Sequence, residues 1–101
     1  MKRHGWDTPE VESLFEAILS LKTSAEARSF FRDLLTEAEL TEFAARWQVA
    51  QMLDNKVPYI QIAKQTGMSS TTIARISKWL NTGMGGYKLM LSRLSSAHHH
   101  T

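Results

Sequence analysis

The 101-residue chain has no cysteine, so disulfides and thiolate metal sites are excluded. It has no apolar run near the ~20 residues that a membrane span needs. It has no period-two alternation that would mark strands, and no internal repeat. P-loop, HExxH and nucleophile-elbow signatures are all absent. The least expected absence is that of carboxylates after Asp54. Residues 1–54 hold six Lys/Arg and ten Asp/Glu, a net of −4, whereas residues 55–101 hold six Lys/Arg and no acid, a net of +6. The overall charge of +2 hides this division. A basic half of this kind attracts phosphate backbone.

What is present is helical punctuation. Thr8-Pro9-Glu10 opens a first helix, with Pro at the first position and acids in the first turn. Val11, Leu14, Phe15, Ile18 and Leu19 form its apolar face, with Leu21 as an extension of it. Thr23-Ser24-Ala25-Glu26 is a capping box, and it starts a second helix that should bury Ala27, Phe30, Phe31, Leu34 and Leu35. Thr36-Glu37-Ala38-Glu39 is another box. It starts the longest helix, roughly 37 to 55, with Leu40, Phe43, Ala44, Trp47, Ala50 and Leu53 inward. A glycine-rich loop at 81–86 precedes a last helix at about 87–95 carrying Tyr87, Met90, Leu91 and Leu94. The expected class is all-α, with six helices. Residues 1–7 and 96–101 are expected to be flexible tails around one domain at 8–95.

The centre of the chain, Tyr59 to Leu80, has helix-turn-helix spacing, with the whole motif at 58–81. Pro58 suits a first helical position, Gly67 ends the first helix, and Ser69 or Ser70 caps the second. Ala63 is small where two helices must touch. Ile73, Ile76 and Leu80 recur at i, i+3 and i+7 and should face inward. Ser70, Thr71, Thr72, Ala74, Arg75, Ser77 and Lys78 face outward, a surface of short hydroxyls and cations. Such side chains let a helix enter the major groove and meet bases or phosphates. The candidate DNA contacts are Lys64, Ser69, Ser70, Thr71, Thr72, Arg75 and Lys78, with Lys56 and Lys88 as further backbone contacts. The competing reading is an αα-corner that docks an acidic protein.

Thr36-Glu37 through Arg46, together with Gly67-Met68-Ser69-Ser70-Thr71-Thr72-Ile73-Ala74-Arg75, resemble the bacterial Trp repressor superfamily. The run continuing to Gly85-Gly86-Tyr87 resembles its YerC/YecD branch. The likeness covers residues 8 to 95. It implies an intertwined homodimer, in which amino-terminal helices of two chains interlock and the heads bind double-stranded operator DNA. It implies a transcriptional regulator, a repressor; the cytoplasm is the default location expected of a chain read as having no membrane span and no secretory signal. The start, Met1 to Glu10, carries basic residues with no apolar segment behind them and does not read as a secretory signal.

The resemblance also raises tryptophan as an effector. Thr36, Arg46 and Arg75 fall on the positions that hold it in the Trp repressor. Ile76 and Trp79 depart from the pattern, standing where that repressor has glycine and serine. Both would fill the ligand's space, so tryptophan is not expected as corepressor and Trp79 reads as an internal plug. An unidentified small-molecule effector is the alternative. No cofactor, metal site or catalytic residue is expected. His98, His99 and His100 read as a terminal tail, and His4 has no evident partner.

Overall fold

The computed structural model describes residues 4–98, and their secondary structure is all helical: α1 (Pro9–Leu19), α2 (Ser24–Leu34), α3 (Glu37–Asp54), α4 (Tyr59–Thr66), α5 (Ser70–Thr82) and α6 (Gly86–His98). His99 and His100 lie outside the described residues. The chain divides into two compact units, residues 1–40 and 41–101.

The first unit is well punctuated. The Thr8 hydroxyl accepts the Val11 N–H at 3.2 Å, and Pro9 occupies the first helical position. The Thr23 hydroxyl accepts the Glu26 N–H at 3.1 Å, while the Glu26 carboxylate reaches back to the Lys22 N–H at 2.9 Å. At α3 the box is fully reciprocal. The Thr36 hydroxyl accepts the Glu39 N–H at 3.1 Å, and the Glu39 carboxylate accepts the Thr36 N–H at 2.9 Å. Hydrogen bonding to the carboxylate, from the Thr36 backbone N–H first and from the Thr36 side chain second, holds the exposed Glu39 carboxyl below its ordinary range.

Burial departs from expectation here. Neither α1 nor α2 contains a buried residue. Phe30, Phe31 and Leu35 are half-buried, and Phe15, Leu19 and Leu34 are exposed. Two helices of 11 residues each carry broad apolar faces but cannot cover both within one small chain.

The second unit has a core. Val49 and Ala50 of α3, Ile62 of α4, and Ile73 and Ile76 of α5 are buried together, with Trp47, Met52, Leu53, Val57, Ala63, Met68 and Tyr87 packed around them. For α3 the expected inward set was partly right, since Trp47 and Leu53 pack against the core beside Ala50. Of that set only Ala50 is buried; Phe43 and Ala44 are exposed, and Val49, not in the set, is fully enclosed. Apolar residues are spread around the circumference of α3, so periodicity could not choose its inner face.

The boundaries shift slightly. Pro58 is the extended residue preceding α4 (φ −63°, ψ 147°) rather than its first helical residue. α5 runs through Thr82, which narrows the loop to residues 83–85, and α6 runs on to His98. Gly83 closes α5 where a Cβ would collide with the Trp79 carbonyl oxygen.

Candidate nucleic-acid interface

The α4–α5 pair is built from the residues that the spacing picked out. Gly67 ends α4 with φ 73°, and its N–H donates to the Ala63 carbonyl at 2.9 Å. Thr66, which sequence reasoning passed over, fixes the turn from its other side. Its hydroxyl donates to the Ile62 carbonyl at 2.7 Å and accepts the Met68 N–H at 3.2 Å. Ser69 caps α5, accepting the Thr72 N–H at 3.2 Å. Ile73, Ile76 and Leu80 are all buried, which fixes the rotation of α5 and aims its opposite face outward.

That outer face carries Ser70, Thr71, Arg75 and Lys78, all exposed, with Lys64 exposed in the last turn of α4. The candidates are not equivalent. The Ser69 hydroxyl is already engaged, since it also donates to Thr72 Oγ1 at 3.0 Å. Thr72 is half-buried, and its own O–H remains available as a donor. Among the described residues the ion pairs are Arg32–Glu37 at 3.4 Å and Arg46–Glu42 at 3.0 Å. Lys64, Arg75 and Lys78 therefore have no carboxylate at ion-pair distance. Arg75 in particular forms no ion pair with a described acid of α3.

The family model for the Trp repressor protein matches residues 9–95. The chain belongs to the Trp repressor family. Members of this family are typically regulators without enzymatic activity. The chain is 41% identical over 85 residues to YerC of Bacillus subtilis strain 168, itself an uncharacterized protein, covering 84% of this chain and 82% of that one. The fold is similar to the crystal structure of a TrpR-like protein from Eubacterium eligens ATCC 27750, with a TM-score of 0.83 and 44% identity over 88% of this chain and 92% of that one. It is also similar to a candidate Trp repressor of Staphylococcus aureus, with a TM-score of 0.85 and 33% identity over 94% and 95% of the two chains.

The family's effector positions can now be located. Thr36 lies in the first unit and spends its hydroxyl oxygen capping α3. In the second unit, Arg46 pairs with Glu42 and lies 5.7 Å from the centre of the Phe43 ring. Arg75 is exposed, and Ile76 is 1% exposed in the core. Trp79 is not the enclosed plug expected from sequence. It is 47% exposed and walls an open apolar groove of about 790 Å³ with Trp47, Met84, Tyr87 and Met90. At about 100° per residue, a side chain six residues after Ile73 and one before Leu80 points to the side of the buried stripe rather than along its centre. Trp47 and Tyr87 stack across the groove floor with ring centroids 6.3 Å apart.

No group of three or more metal-ligating side chains occurs among the described residues. None of their helices is long and apolar enough to cross a membrane.

Proposed function

We propose that the chain is a sequence-specific regulator of transcription, a repressor that binds double-stranded DNA as a homodimer without tryptophan as corepressor. The observation that carries this reading is the outer face of α5. It is rotated outward by three buried residues, holds hydroxyls and cations, and has no carboxylate paired to it. Ser70, Thr71, Thr72 and Arg75, in the first turns of α5, meet base edges and nearby phosphates. Ser69 acts through its cap, and Lys64 and Lys78 hold the backbone.

Dimerisation is supported by apolar surface left open in both units. Phe15 and Leu19 of the first, and Trp79, Met84, Leu89 and Met90 of the second, are exposed. Large apolar side chains left open in each unit suit an interface with a second copy. A two-fold dimer would present two α5 helices about one DNA turn apart, ~34 Å. Independence from tryptophan is supported by Ile76, whose side chain is enclosed at a position where the Trp repressor has glycine.

The test is selection from a random duplex library by the purified protein, first without ligand and then with amino acids added. An enriched two-fold motif without ligand is expected. Enrichment only with tryptophan would overturn the reading of Ile76 and Trp79. No enrichment from a well-folded dimer would turn the reading to protein docking or to another effector.

A further inference from the structure

Lys56 differs from every other cation described. It is the only non-glycine described residue with a positive φ, at 63°; Gly67 and Gly85 fill the other left-handed positions. The close of α3 forces this conformation. The Lys56 N–H donates to the Leu53 carbonyl and the Val57 N–H to the Met52 carbonyl, both at 3.0 Å. This pair of bonds defines a Schellman turn, whose left-handed residue is ordinarily glycine because a Cβ there crowds the backbone. The ammonium group takes no part in holding the fold. The residue is exposed, and no hydrogen bond or ion pair of the described residues engages its ammonium. A cation kept against its backbone preference, with its ammonium engaged by no described residue, points to binding.

Its surroundings indicate what is bound. Lys56 lines a polar cleft of about 550 Å³ between the end of α3, the start of α4, the last turns of α5 and the first turn of α6. Tyr59, Ser77, Asn81 and Lys88 line it too. The charged groups facing the cleft are two ammonium groups and the Asp54 carboxylate, and neither lysine is paired with that carboxylate. Asn81 is held in place by its amide, which donates to the Ser77 carbonyl at 2.8 Å. Two cations among hydroxyl and amide donors suit a singly charged phosphodiester, which needs counter-charge and hydrogen-bond donors together.

We propose that this cleft seats a DNA backbone phosphate beyond the bases faced by α5, with Lys56 as its principal cation and Lys88 as its second. The inference rests on the DNA-binding reading above and extends the footprint to the start of α4.

The test compares wild type, Lys56→Gly, Lys56→Asn and Lys56→Arg on a selected duplex by fluorescence anisotropy across a salt series, alongside thermal unfolding. Lys56→Gly relieves the left-handed strain, so its Tm should rise by about 2–5 °C. The same variant should bind about three- to tenfold more weakly, with a salt slope flatter by about one unit per bound chain. Lys56→Asn, which tolerates the same backbone, should bind as weakly, and Lys56→Arg should bind like wild type. Glycine and asparagine variants that bind with wild-type affinity and slope would overturn the seat while leaving DNA binding intact. Wild type binding no duplex at any salt would instead overturn the underlying reading.

Discussion

The two units of this chain solve burial differently. Residues 41–101 enclose Val49, Ala50, Ile62, Ile73 and Ile76 and so hold α4 and α5 in a defined relation. In residues 1–40 each helix is as well capped, yet no described residue is buried. Charge divides nearly along the same line, with all but two of the ten acids in the first unit. The difference teaches that capping and amphipathic pattern specify a helix, but only a third packing surface turns an apolar face into a core. The first unit has the pattern without that surface, and in the proposed dimer a second copy supplies it.

The largest effect should come from attacking that missing surface. Phe15→Ser with Leu19→Ser removes apolar contacts twice in a two-fold dimer. It should weaken association by about 3–6 kcal/mol per dimer. Sedimentation equilibrium should then find monomer where wild type is dimeric, and unchanged association would refute the contrast. Ile73→Ala attacks the other unit at a fully enclosed site. A loss of about 2–4 kcal/mol is expected in denaturant unfolding. A loss under about 1 kcal/mol would mean that the core of the second unit is not what holds α5.

Binding variants sharpen the division within the second unit. Lys78→Ala should weaken all duplexes alike and flatten the salt slope by about one unit. Thr71→Ala should instead change the preference among sequences. Equal losses on every sequence from both variants would refute their separate roles.

The smallest expected effect lies at the start of α3. The folded Glu39 carboxyl sits below its ordinary value because the Thr36 backbone and side chain favour its ionised form. Its contribution to stability is present above the unfolded value of about 4.3 and is lost as pH falls through the lower folded value. Glu39→Gln should therefore flatten the stability–pH curve slightly below about pH 4.5, measured by urea midpoints. An identical curve would show that the capping bond is not populated in solution.

Much of this was legible in the residues because the signals are local. Thr8, Thr23 and Thr36 announce helix starts through hydroxyls that reach only three residues ahead. Gly67 and the 73/76/80 stripe specify the α4–α5 corner through one left-handed residue and one helical period. Less local features were misread. Val49 rather than Phe43 is enclosed because α3 has no single apolar face. Trp79 lies along a groove because burial depends on which element stands opposite, and spacing along one helix is silent about that. Thr66 went unweighted and Lys56 was read only as one more backbone contact, because their importance lies in a turn's hydrogen bonds and in one backbone angle.

By itself, then, the sequence determined the six helices, their caps, the turn at Gly67 and the basic half, all set by interactions within a few residues or by composition. The tertiary structure alone decided which face of α3 is enclosed, that Arg75 is unpaired and Trp79 exposed, and that Lys56 shares a cleft with Lys88. Those outcomes depend on residues far apart in the chain meeting at a common surface, and no periodicity encodes that meeting.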